Sequence, residues 1–298
     1  MSSRPTISVV IPHYNRIQVT ALAIRSALSQ SYAPLEVIVV DDGSAISLDR
    51  EALGIDDPCL RIMRLDRNQG AAAARQAGVQ AARGDMLAFL DSDDVWLPHK
   101  LEAQVAHLAG ECSQDNLIAV VCGWISRPEY GEKVEMIVPR ENRDAADFAL
   151  GCWFSPGSTL MVRRDVFDIV GPYDPKLRRL EDYEWFLRFG LAGGRVVVAP
   201  TVVAVISIGQ RARLKDVRHA ADHVKKMITA LNHPLVNWEF RKNTRAYLAL
   251  EVAKAAQNEG SYVCMGIHFL YSLVLKPRMR VSLKDWWPVR RCLSDAER

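Results

Sequence analysis

Apolar runs and helix-spaced apolar positions alternate along the first 125 residues. Residues 7–11 form a continuous apolar-rich run that predicts a buried strand, and residues 19–30 place Leu22, Ala23, Ala27 and Leu28 at helical spacing. Further strands are predicted over 35–40, 60–65 and 86–90, with an alanine-rich helix over 70–82 before the last of them. A helix from Pro98 and a strand over 117–124 complete this half. Strands alternating with helices predict an α/β domain built on a mostly parallel sheet. From about 126 to 210 the pattern changes to α+β, with strands over 133–138, 158–162 and 195–199 and helices over 164–170 and 181–191. Beyond 210 strand signals stop, and three or four helical segments follow. The expected organisation is a unit over 1–210, with halves 1–125 and 126–210, and a helical C-terminal region over 211–298.

Composition narrows the class. Of 298 residues, 49% are hydrophobic and 24% charged, ordinary globular proportions that exclude a disordered or collagen-like chain. A net charge of +3 gives no ground for a nucleic-acid partner. The balance is regional, however: residues 1–210 hold 21 Lys/Arg against 27 Asp/Glu, and residues 211–298 hold 17 against 8. Cysteines 59, 112, 122, 152, 264 and 292 have no C-x-x-C or metal-finger spacing and read as reduced thiols. The first residues lack the apolar stretch of a signal peptide. The apolar runs over 196–208 and 262–275 fall short of the ~18–20 residues of a spanning helix. A cytoplasmic protein is expected, with at most peripheral membrane contact.

Candidate chemistry gathers where strands end. Asp91-Ser92-Asp93-Asp94 follows the strand over 86–90, and Asp41-Asp42-Gly43-Ser44 follows that over 35–40. Ligands of open α/β sheets bind beyond the carboxyl ends of the strands. Three carboxylates in one turn repel unless a cation neutralises them, and hard oxygen ligands suit Mg²⁺ or Mn²⁺. The plainer readings are a solvated turn for the first and an Asp-Gly turn for the second. In the segment 67–75, Asn68, Gly70 and Arg75 surround a helix start, where anions are favoured. Its small residues also suit packing on a sheet. Glu181, Asp182 and Glu184 open a further helix, either as N-caps and dipole partners or with one of them a general base. No G-x-G-x-x-G or P-loop sequence is present, and His219 and His223 read as a solvated helix face.

The order and spacing of Ile7-Ser8-Val9-Val10-Ile11-Pro12-His13-Tyr14-Asn15-Arg16, Val39-Val40-Asp41-Asp42-Gly43-Ser44, Asn68-Gln69-Gly70 and Phe89-Leu90-Asp91-Ser92-Asp93-Asp94-Val95-Trp96 resemble family 2 glycosyltransferases. Gly171-Pro172-Tyr173-Asp174 and Glu181-Asp182-Tyr183-Glu184-Trp185 look like acceptor-half motifs of the same family, so the resemblance spans roughly 6–205. It implies the GT-A fold, a Rossmann-like mixed sheet flanked by helices, here with a C-terminal helical extension. It places Pro12, Tyr14 and Asp42 at the nucleoside, Asp91 beside ribose and diphosphate, Asp93 at a divalent metal, and Asp182 as catalytic base. Asn68, Gly70, Arg75 and Ser92 join the expected donor-binding residues. One departure stands out: where relatives carry Arg-x-His, this chain reads Val205-Ile206-Ser207-Ile208-Gly209-Gln210, without histidine.

The expectation is an inverting, Mn²⁺- or Mg²⁺-dependent transfer from a nucleotide-diphospho-sugar to a hydroxyl of a glycan or lipid-linked acceptor, in cell-surface glycan or polysaccharide synthesis. The alternative is a catalytically impaired nucleotide-sugar-binding or scaffolding protein of the same fold. For the tail, basic residues beside the apolar run over 262–275 predict either docking on a membrane or a helical cap that buries the run.

Overall fold

The computed structural model describes residues 4–110, 117–128, 134–208, 212–277 and 287–293. Its first part alternates as the apolar pattern predicts: β1 (Ile7–His13), α1 (Ile17–Leu28), β2 (Glu36–Asp41), a short α2 (Arg50–Leu53), β3 (Leu60–Arg64), α3 (Ala71–Ala81) and β4 (Met86–Phe89). β1 pairs in parallel with β2 on one side and β4 on the other, and β3 pairs in parallel with β2. The chain therefore reverses its direction of winding beside β1, which opens a crevice at the carboxyl ends of β1, β2 and β4.

The strands are apolar on both faces because both faces are covered. Val10, Ile38, Val40, Leu87 and Phe89 enter one cluster, whereas Val9, Ile11, Val37, Val39, Met86 and Ala88 enter the other. Small residues let α3 approach the first of these faces. A Cβ on Gly78 would collide with the Val10 side chain.

The second part holds β5 (Val95–Trp96), α4 (Lys100–Gly110), β6 (Ile118–Pro128), β7 (Glu135–Val138), a 3-10 turn at Ala145–Leu150, α5 (Pro156–Thr159), β8 (Met161–Arg163), α6 (Val166–Val170), α7 (Glu181–Leu191) and β9 (Arg195–Ile208). β8 pairs antiparallel with β4 and with β6, so the sheet is mixed. Two expectations change here. The strand expected from 158 begins only at Met161, because Pro156 starts a helical turn in which Thr159 Oγ1 donates to the Phe154 carbonyl at 2.6 Å. The strand expected to end at 199 runs to Ile208, because Pro200 falls in a register shift against β6 between Cys122 and Gly123. Position 133 of the expected 133–138 strand lies outside the described residues.

The third part is helical, with α8 (Leu214–Ala230), α9 (Trp238–Asn258) and α10 (Tyr262–Leu275), followed by β10 (Val289–Cys292). β10 was not expected from the sequence. Its four residues are exposed, and it exists through antiparallel pairing with β7 and an Arg290–Glu135 ion pair at 2.7 Å. Val217, Val224, Phe240, Tyr247, Leu248 and Val252 of α8 and α9 join the cluster that also holds Phe148, Tyr183 and Phe186. Tyr183 and Tyr247 rings lie 4.6 Å apart, which seats α9 on α7. His223, expected on a solvated face, instead pairs with Asp174 at 2.9 Å. The described cysteines are unpaired, and Cys112 lies outside the described residues.

Candidate active site

A cleft of about 1060 Å³ opens at the crevice. Pro12, Tyr14, Asp42, Asn68, Gly70, Arg75, Asp91, Ser92 and Asp93 all line it. The topology thus brings together residues spread over eighty positions of sequence.

The Asp41–Asp42 pair splits into two tasks. Asp41 turns back, accepting from Ser44 N at 2.9 Å and pairing with Arg64. Asp42 faces the loop before α3 and accepts from Gln69 N and Gly70 N, each at 2.7 Å. Burial raises its pKa, while these backbone donors act in the opposite direction. Gly43 makes this packing possible. At φ +69 a Cβ there would stand 2.5 Å from the Arg67 carbonyl carbon.

The acidic turn after β4 is neutralised within the chain, which corrects the argument that its charges demand a bound cation. Arg16 Nη1 donates to Asp93 Oδ2 at 2.6 Å, and Arg75 Nη2 donates to Asp91 Oδ1 at 2.6 Å. Asp94 turns away into the protein, where it accepts from Ser158 Oγ and from Ser207 N at 2.8 Å. Burial, reinforced by the Asp91 charge, pushes the Asp94 carboxyl up to about 8. Among the described residues no group of three or more His, Cys, Asp or Glu side chains could hold a metal ion. Of the stretch without histidine, Ile206 and Ser207 line the cleft, and 209–210 lie outside the described residues.

Arg75 links the two halves. It is 4% exposed, and its Nη1 donates to Glu181 Oε1 at 2.8 Å with Asp182 Oδ1 at 3.6 Å. Neither acid caps α7: Leu180 holds the N-cap position in a left-handed conformation, without a side-chain cap. Glu181 lines the cleft beside the other residues named. Asp182, the expected base, is not among the residues that line the cleft; its side chain is 23% exposed, and burial raises its pKa to about 7 against the pull of Arg75. A carboxylate tuned near neutrality suits a base that must accept a proton and later release it.

Several cleft residues were not singled out from sequence. Arg16 lay inside a quoted motif without a role. Arg178, held by Asn68 Oδ1 at 2.9 Å, and Arg179 come from the loop before α7, and Ser155 from the turn before α5. No carboxylate pairs with Arg178 or Arg179 among the described residues. Asn15, Ser155 and Leu180 are the non-glycine residues at positive φ among those described, and each lines or adjoins the cleft. Strain of this kind concentrates at functional sites, but φ is not legible in sequence.

Residues 8–170 match the family described as Glycosyl transferase family 2, and the chain belongs to that family. It is a glycosyltransferase. It is 32% identical over 234 residues to the succinoglycan biosynthesis protein ExoO of Rhizobium meliloti (strain 1021), covering 76% of this chain and 67% of ExoO. It is 36% identical over 100 residues to the UDP-Glc:alpha-D-GlcNAc-diphosphoundecaprenol beta-1,3-glucosyltransferase WfgD of Escherichia coli, covering 34% of this chain and 40% of WfgD. The chain spans from 54% to 67% of the length of ExoO and of three uncharacterised bacterial glycosyltransferases it also matches. S. aureus TarS 1-349 in complex with UDP-GlcNAc superimposes with a TM-score of 0.65 at 18% identity, over 93% of this chain and 83% of that one. At that identity the likeness shows the fold, the GT-A type expected from the sequence motifs.

Proposed function

We propose that this chain transfers a sugar from a nucleotide-diphospho-sugar to a hydroxyl group of a glycan or lipid-linked acceptor, with inversion at the anomeric carbon. The observation that carries the reading is Arg75, which ties a donor-side carboxylate, Asp91, to the paired acids Glu181 and Asp182 across one cleft. Pro12, Tyr14, Asp42, Asn68 and Gly70 hold the nucleoside end. Asp91 and Ser92 stand beside the ribose and diphosphate. Arg178 and Arg179, which form no ion pair among the described residues, offset the diphosphate charge. Asp182 takes the proton of the acceptor hydroxyl as its oxygen attacks the anomeric carbon and the nucleoside diphosphate leaves. One base and direct displacement invert the configuration.

A divalent cation of the Mg²⁺ or Mn²⁺ kind would share Asp91 and Asp93 with Arg75 and Arg16, which pair with them in the structure. Asp91 and Asp93 present hard oxygens at the cleft, and such ions are commonly held by one or two carboxylates plus substrate phosphates. A cation held at Asp93 would supply positive charge beside the leaving diphosphate. Residues 1–210 carry most of this machinery, and Arg213 and Asp216 of the C-terminal region also line the cleft. The names of ExoO and WfgD favour glycan or polysaccharide synthesis, with a lipid-linked acceptor of the kind WfgD's name prints.

The test is a screen of nucleotide sugars with Mn²⁺ and with Mg²⁺, reading donor hydrolysis and thermal stabilisation. Hydrolysis of one donor supports the enzyme. Stabilisation by a donor with no hydrolysis, and no transfer to any supplied acceptor, supports the scaffolding alternative instead.

A further inference from the structure

Helix α10 (Tyr262–Leu275) joins the molecule along one side only. Ser272 is its buried residue, with its Oγ donating to the Ala246 carbonyl of α9 at 2.8 Å. Val263, Ile267, Leu270 and Val274 follow at spacings of four, three and four, and so share one helix face. Each is at least 61% exposed, and Tyr262 and Tyr271 are exposed with them. Of the two readings of this run, a cap holds only in part: α10 packs on α9 through Ser272 and on the core through Cys264, and leaves these side chains in water. A continuous aliphatic stripe left in water marks an interaction surface. At ~1.5 Å per residue the helix is ~21 Å long, short of the ~30 Å hydrocarbon core of a bilayer. No helix among the described residues is long and apolar enough to cross a membrane.

Charge selects the occupant. Residues 211–298 carry 17 Lys/Arg against 8 Asp/Glu, so a second copy docked through the same region would set like charge against like, whereas an anionic surface complements it. The end of α10 meets the start of α9, where Lys276 Nζ donates to Asn243 Oδ1 at 3.0 Å. One turn away stands Trp238, 73% exposed, with Lys242 Nζ 4.6 Å from its ring. An exposed tryptophan beside lysines matches the headgroup boundary of a bilayer.

We propose that α10 lies flat on an anionic phospholipid surface, its aliphatic stripe inserted and its basic surroundings against the headgroups. The inference rests on the proposed glycan transfer in one respect, that docking would keep the cleft near a lipid-linked acceptor. It requires neither donor nor turnover.

The experiment is co-sedimentation of the full chain with phosphatidylcholine vesicles, with and without phosphatidylglycerol, over a range of salt. Binding that needs phosphatidylglycerol and weakens with salt is expected. Ile267→Asp with Val274→Asp should lower partitioning at least about tenfold, with circular dichroism and Tm unchanged. Hydrogen exchange of the unaltered protein, which requires no variant to fold, should show vesicle protection centred on 262–275. The proposal is overturned by any one of four results: no binding at low salt, equal binding by the folded double variant, protection elsewhere, or a dimer that the variant abolishes in a protein that ignores vesicles. Vesicle binding by a protein that turns over no donor would sink the catalytic reading alone, and turnover without vesicle binding would sink only this one.

Discussion

At the residue scale, the chemistry turns on side chains whose charge is set by their neighbours. Asp182→Asn keeps the shape of the carboxylate but removes the proton acceptor. Transfer should fall by something like 10²–10⁴ while donor affinity holds, read as kcat against calorimetric Kd. Near-normal turnover would move the base to Glu181. Because burial holds Asp182 near 7, activity should rise with pH through about 7 as the carboxylate ionises, and the Asn variant should lose that limb. Asp93→Ala should abolish any metal-dependent part of nucleoside diphosphate affinity, and unchanged affinity with Mn²⁺ would remove the cation from this position. Lys100 is a different case. It is fully buried, without a hydrogen-bond partner for Nζ among the described residues and with Nζ 3.9 Å from the Trp96 ring centre. Burial lowers its pKa from 10.5 to about 7. The folded state thus binds fewer protons than the unfolded state between about 7 and 10.5, so stability rises with pH across that window. Lys100→Met should raise stability near pH 7 by about 1–3 kcal/mol and flatten the rise, measured by urea unfolding at several pH values.

At the scale of elements, the site depends on close backbone approaches that glycines permit. Gly157 of α5 packs on the Asp91 carboxylate, and a Cβ there would stand 3.0 Å from its Cγ and closer still to Oδ2. Gly157→Ala should displace Asp91 from Arg75 and weaken donor binding. The measurement is donor Kd beside Tm; a full loss of folding with no recoverable binding would place the effect in packing instead. The apolar pattern carried the helices and parallel strands at this scale, because 3.6 and 2.0 periodicities are local. It could not carry β10, nor the continuation of β9 through Pro200, since both exist only through a partner strand.

For the whole molecule, the C-terminal helices complete the core beneath α7. A Cβ on Gly151 would stand 2.5 Å from the Tyr247 ring, and the Tyr183 hydroxyl donates to the Ala149 carbonyl at 3.2 Å. Tyr247→Ala should cost about 3–5 kcal/mol and lower kcat along with stability, because Tyr183 belongs to the helix that carries Asp182. A chain ended at residue 210 should fail to give a cooperative unfolding transition. A folded, active fragment would show that α8 and α9 are dispensable.

The sequence by itself determined the alternating architecture, the acidic turns at strand ends and the family, because spacing along one strand or helix and the order of motifs are properties of the chain. Nine of the ten residues it nominated line one cleft. Only the tertiary structure decided how those residues are paired. Arg16 and Asp93 are 77 positions apart, and Arg75 and Glu181 are 106 apart. Charges so distant in sequence leave no periodic mark, so the repulsion visible in Asp91-Ser92-Asp93-Asp94 was legible while its relief was not. The same holds for α10. Its apolar run is plain in the sequence, but which side it presents to water is fixed by where α9 lies.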